Sequence, residues 1–385
     1  MKSKFNEVFG DIGGIFTVDE KMDAYLDVFR QAIKVVLDPL YASKSIKPWP
    51  MVNYDFINNV KFNAVAAKSG QDYFVGINGG TVAILHNLFA RMLCHKQILT
   101  DFGNPDVESE EKKIVDPQSL RYDTLLNYRK EGGSVIPNDP IRKNLAWYLS
   151  TLAVQFICMH EYGHVLNGHL DLINSQGITS LPELPYNDEK PRIEPILSQT
   201  LELDADAFAV RTCLTYVLGC VNSPLNPEHT QLFYKDHRTT IRLFCFYTYT
   251  IHRLFGALIP NVKDLLNVSH PPSGTRQIRF IPSIILIANV LAPEISEQEI
   301  YKIVIKASAE VEDAFKKISD TPMDDMGIRF AMTEHAVDHS DLISYNWNNV
   351  RPLLEEYCYS HLLPLKVRSS GFTYKTMEYL NQFQG

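Results

Sequence analysis

His160-Glu161-Tyr162-Gly163-His164 brings two imidazoles and a carboxylate into five residues. On a helix, residues four apart share one face about a turn apart, so His160 and His164 can grip one metal ion. Glu161, on the adjoining face, can reach a water on that ion. Zinc lowers the pKa of such a water to roughly 7 and polarises a carbonyl, which is the chemistry of hydrolysis. With twelve histidines in 385 residues, the bare pattern arises by chance in roughly a few per cent of such chains. Context therefore decides. The run from Asn144 to Met159 is apolar and free of Pro and Gly, which predicts a buried helix leading into the motif. A core helix rarely carries His, Glu and His in one turn unless they are paired or ligating. The pattern predicts metal-dependent hydrolysis, most directly of peptide bonds.

A catalytic zinc usually takes three protein ligands and keeps a fourth position for water. His169 is one option, but a His-Glu-x-x-His-x-x-Gly-x-x-His pattern needs Gly at 167 and His at 170, where Asn and Leu stand. If the helix continues, His169 points to a different face from His164, as a surface residue or one that orients a ligand. The other option lies 38 residues past His164, in Leu201-Glu202-Leu203-Asp204-Ala205-Asp206-Ala207-Phe208-Ala209. Glu202 and Asp206 share a helix face, and Ala205 and Ala209 are small enough for close helix packing. Glu202 can complete a His-His-Glu set while Asp206 orients a ligand imidazole. Asp204 remains a competing ligand. A second pair with four-residue spacing, His335 and His339, has no Glu after its first His and sits among Glu334, Asp338 and Asp341. It reads as a charged helix face.

Four blocks in order resemble the gluzincin zinc peptidases that include the CAAX prenyl proteases and the HtpX heat-shock proteases. They are Asn63-Ala64-Val65-Ala66 with Tyr73 to Gly80, then His160 to His164 followed by Asn167-Gly168-His169, then Glu202 to Ala209, and Ser269-His270-Pro271-Pro272 with Arg276. Together they span roughly residues 60 to 280. The resemblance implies that His160, His164 and Glu202 bind Zn2+, that Glu161 is general base and acid, and that His270 helps stabilise the oxyanion. It also implies that Arg276 ties its segment to the acidic pair near Asp206. Gln277 stands where the family usually places Ile, and the family's membrane spans are absent, so prenylated substrates do not carry over. Read alone, His270-Pro271-Pro272 is a His before a rigid turn that starts a helix.

These side chains need a frame. The expected fold class is α+β and mainly α-helical, a gluzincin-type core with a small sheet and a helical C-terminal extension. Residues 1–59 read as an N-terminal helical region, 60–295 as the peptidase core with a surface insertion at 101–141, and 296–385 as the extension. Helical patterns run over 15–45 with a Thr17–Glu20 capping box, and over 81–99, 198–221, 229–259 and 274–292. Ser296 and Glu299 cap a further helix to about 319. Residues 60–78 read as two strands about a Lys68-Ser69-Gly70-Gln71-Asp72 turn. The Pro-rich stretch 174–195 reads as a connector between the two ligand helices.

Composition bounds the partners. A net charge of −8 with no long basic run argues against nucleic acid or an anionic membrane surface. No stretch supplies eighteen uncharged apolar residues, so no integral membrane segment is expected. The N-terminus lacks a signal-peptide core, and six cysteines without a Cys-x-x-Cys pair read as buried small hydrophobes; both favour a cytoplasmic setting. The expected partner is a polypeptide substrate paired to an exposed sheet edge, the strand near Asn63 to Ala67. Two alternatives stay open: a cytosolic toxin- or phage-exclusion-type peptidase cutting one host protein, and a catalytically silent zinc-binding protein. Nothing in the sequence bears on oligomeric state.

Overall fold

The computed structural model describes residues 2–17, 20–108, 135–175, 177, 180–182, 194–224, 230–255, 265, 268–319 and 326–362. The chain opens with α1 (Lys2–Phe9) and α2 (Glu20–Ala42), followed by β1 (Val52–Ile57), β2 (Ala64–Ser69) and β3 (Asp72–Asn78). Next come α3 (Gly79–Leu93), α4 (Pro140–Leu166), α5 (His169–Asn174), β4 (Ser180–Pro182) and α6 (Pro195–Gly219). The chain then forms α7 (His237–Phe255), α8 (Ser273–Leu291), α9 (Glu297–Ile318), α10 (Met326–Ala331) and α11 (Glu334–Leu354). The architecture is mainly helical around one small sheet.

The sheet order is β1-β3-β2-β4. β2 and β3 form the expected hairpin, with Ser69 opposite Asp72 and Gly70 at φ +61 between them; a positive φ there suits a two-residue hairpin turn. β1 pairs parallel to β3. Residues 1–59 are therefore not wholly helical: Val52, Tyr54 and Phe56 alternate with Asn53 and Asp55, a period of two that suits a strand. β4 pairs antiparallel to Val65, Ala66 and Ala67. This corrects the expected free edge at Asn63 to Ala67, because the connector folds back and adds a strand there.

The helix α4 runs through the core and packs against α2, α3, α6, α7 and β2. Its apolar residues cover every face, as burial on all sides demands. It starts at Asp139, whose carboxylate accepts from the backbone N–H of Ile141 and Arg142, with Pro140 in the first turn; both features suit a helix start. The Glu202 helix α6 begins the same way, with Glu194 accepting from Ile196 and Leu197 ahead of Pro195. Arg142 then anchors α4 to the loop after α3. Its guanidinium donates to the carbonyls of Leu93, His95, Ile98, Leu99 and Phe102 at 2.8–3.1 Å. All five donors are used, and the helix expected to reach 99 ends at Leu93 because those carbonyls turn to Arg142.

Ser296 caps α9 as expected, accepting from Glu299 N–H. Residues 18 and 19 of the Thr17–Glu20 cap, and most of the insertion at 101–141, lie outside the described residues. One buried apolar cluster joins Leu26, Phe56, Leu149, Phe208, Phe315 and Leu362, so the three regions read from the sequence share one core. All six cysteines are free thiols, five of them buried. No described helix is long and apolar enough to cross a membrane.

Candidate metal centre

His160 and His164 meet Glu202 where α4 crosses α6. The crossing is close because small residues face each other: a Cβ added at Gly163 would lie 3.0 Å from Ala205 Cα and 3.3 Å from its Cβ. His160 Nε2 and His164 Nε2 are 3.1 Å apart. His160 Nε2 is 3.2 Å from Glu202 Oε2, and His164 Nε2 is 3.5 Å from Glu202 Oε1. Four donors at zinc-ligand distances of about 2.0–2.1 Å in a tetrahedron lie about 3.3 Å from each other. The three edges observed scatter about that length. Among the described residues this is the group of His, Cys, Asp and Glu side chains placed to hold a metal, and all three are buried.

The outer nitrogens of the two rings fix which way their lone pairs face. His160 Nδ1 is 3.0 Å from Asp206 Oδ1. Arg276 grips that carboxylate with a fork, Nε to Oδ2 and Nη2 to Oδ1, each at 2.8 Å. Burial pushes the Asp206 carboxyl up, but the Arg276 guanidinium, together with the His160 ring, outweighs it and holds the group well below the usual carboxylate range. Asp206 is thus an acceptor, His160 Nδ1 carries the proton, and His160 Nε2 faces Glu202 with a lone pair. On the second ring, His164 Nδ1 is 2.9 Å from His169 Nδ1, and His169 Nε2 is 3.0 Å from Asp204 Oδ2. His169 donates to the carboxylate through Nε2 and accepts through Nδ1, so His164 also turns an unprotonated Nε2 inward. Two lone pairs and a carboxylate converge on one point, an arrangement a cation stabilises.

The remaining expected residues fall close by. Glu161 is buried on the motif turn; the Cys158 thiol, one turn earlier, is pushed well up by burial and further by the Glu161 charge. His270 lies just before α8, with Nε2 3.5 Å from Glu202 Oε2 and Nδ1 2.8 Å from Ser269 Oγ. Its Nε2 is buried and makes no hydrogen bond to a described residue. Arg276 also comes within 4.0 Å of Glu202, so its expected tie to the acidic pair is present.

Three readings resolve. Of the two places open to His169, the surface one falls: the ring is fully buried and bonded to a candidate ligand, the orienting position. The helix does not continue past His164 as assumed: it stops at Leu166, and Gly168, at φ +82, reverses the chain. Asn167-Gly168 is itself a helix stop, and that signal could have placed His169. Asp204 lies outside the group that His160, His164 and Glu202 form, and its Oδ2 is engaged by His169 and by Asn167 Nδ2. His339, expected on a charged surface, is buried. Its helix α11 packs on α6, with Asn346 Nδ2 donating to Thr200 Oγ1 at 2.9 Å, and Arg279 of α8 donates to Ser344 at 2.6 Å. His335 is exposed and forms no metal group with it.

Comparison of the chain with protein-family models, with curated proteins and with solved structures finds no match to any of them.

Proposed function

We propose that the chain is a zinc-dependent metalloendopeptidase in which His160, His164 and Glu202 hold the metal and Glu161 is the general base. The observation that carries this is the inward convergence of His160 Nε2, His164 Nε2 and the Glu202 carboxylate, each ring fixed by its own hydrogen bond. Zinc, when bound, supplies a Lewis acid that lowers the pKa of water to roughly 7 and polarises a peptide carbonyl.

The chain supplies the rest. Asp206, held by Arg276, keeps the His160 ring in the ligating tautomer. Glu161 takes a proton from the attacking water and passes it to the nitrogen of the breaking C–N bond, so water adds across that bond and no other reactant is required. His270 Nε2 is the donor suited to the developing oxyanion when Ser269 donates to Nδ1. Burial of His160, Glu161, Asp206 and Arg276 strengthens their electrostatic contributions.

A purified sample is tested on casein with and without chelator, beside Glu161→Gln. Chelator-sensitive cleavage should fall by about 10²–10⁴-fold in the variant, with zinc content unchanged. Loss of zinc along with activity would make Glu161 structural. A second reading, a peptidase that cuts one protein, is favoured by β4 lying along the β2 edge where a generic extended peptide would pair. Its signature is inactivity on casein with toxicity on expression that Glu161→Gln abolishes. Zinc binding without either activity is the signature of a silent binding protein.

A further inference from the structure

We infer that His169 and Asp204 are positioning residues for His164, and that the C-terminal segment around Ser360 completes their support. This rests on the metal reading above and extends the site into a part of the chain outside the family resemblance.

The connection can be followed atom by atom. The Ser360 hydroxyl donates to Asn167 Oδ1, and Asn167 Nδ2 donates to Asp204 Oδ2. The same Asp204 oxygen accepts from His169 Nε2 at 3.0 Å, and His169 Nδ1 accepts from His164 Nδ1 at 2.9 Å. All five side chains are buried, where a hydrogen bond is stronger and a lost one is costly. His160 has a separate holder in Asp206 and Arg276. The two rings are therefore fixed independently, one by a carboxylate and one by an imidazole–carboxylate pair.

The backbone shows why the C-terminal segment belongs to this device. Leu166 ends the motif helix with its carbonyl accepting from Tyr359 N–H at 2.8 Å and Ser360 N–H at 3.3 Å. Without those donors, that carbonyl at the helix end would be buried and unsatisfied. A Cβ added at Gly168 would come within 2.7 Å of Tyr357 Cβ, so the segment presses directly on the turn that aims His169. Both nitrogens of His169 are engaged, which assigns it to holding a ligand rather than to being one.

The test measures zinc affinity by chelator competition, and apoprotein stability by urea unfolding, in wild type, His169→Leu, His169→Gln, Ser360→Ala and Glu202→Ala. Loss of a group that orients a metal ligand costs about 10–100-fold in affinity. His169→Leu should show that loss beyond any change in apoprotein stability. His169→Gln, whose amide can accept from His164 and donate to Asp204, should recover most of it. Ser360→Ala should weaken zinc binding several-fold. Should His169→Leu not fold, the Ser360→Ala and His169→Gln pair decides the matter. Wild-type affinity in His169→Leu and Ser360→Ala, with zinc lost in Glu202→Ala, overturns this inference and leaves the metal site standing. A wild type that binds no zinc overturns both.

Discussion

At the scale of single residues, the candidate site is a set of paired obligations. Asp206 is a buried carboxylate whose charge is held by the Arg276 fork. Arg276→Met strands that charge, and removing one partner of a buried pair costs about 3–5 kcal/mol. Urea unfolding should show a loss of that size, and an added Asp206→Leu should recover part of it. His160 and His164 were legible from spacing alone, because a four-residue interval translates directly into a shared helix face; Glu202 was readable only as one of two acidic candidates on a later helix, with Asp204 beside it. His169 was not legible by that rule. Its position depends on Gly168 adopting a positive φ, and a spacing argument that extends the helix through the glycine sends the ring the wrong way. His339 escaped for a different reason: the acidic neighbours suggested solvent, while the helix turns this face onto α6 and Arg279.

At the scale of elements, the site exists because α4 and α6 approach closely at Gly163 and Ala205. The two effects of Gly163→Ala oppose each other. Alanine favours the helix by about 1 kcal/mol, but its methyl would meet Ala205 backbone atoms at 3.0–3.2 Å, and overpacking costs about 1–3 kcal/mol. The contact is with backbone, which cannot rotate away, so the net effect should be destabilising. It should also lower zinc affinity by moving Glu202 from the imidazoles; unchanged affinity and raised stability would show that the helices have room to spare. The small residues at 205 and 209 announced this packing in the sequence. The sheet was only half announced: the β2–β3 hairpin follows from alternation and a Gly turn, whereas β4 is three residues inside a Pro-rich connector, and its pairing depends on tertiary placement rather than local pattern.

At the scale of the whole molecule, the fold should be sensitive to acid through two imidazoles, His339 buried and His86 half-buried. Burial pushes His86, whose Nδ1 meets the Tyr25 hydroxyl at 3.1 Å, down to about 4. Burial, with the Arg279 charge, pushes His339 down to about 4 as well. The unfolded chain then binds more protons than the folded one between about pH 6.5 and 4, so stability falls as pH falls through that window. Each ring accounts for up to about 3 kcal/mol. His339→Leu should flatten the fall in urea midpoint between pH 7 and 4; an unchanged slope would mean that the ring is solvated. The mainly helical class was legible from composition and periodicity, as was the lack, among the described residues, of a helix long and apolar enough to cross a membrane. The apolar cluster that joins all three expected regions was not, since burial across region boundaries is a property of the folded chain.

The most direct measurement is zinc content of the purified protein beside Glu202→Ala. One zinc per chain in the wild type, and its loss in the variant with the fold intact, is the expected result. Full zinc content in Glu202→Ala, or none in the wild type under zinc-replete conditions, would contradict a metal held by His160, His164 and Glu202.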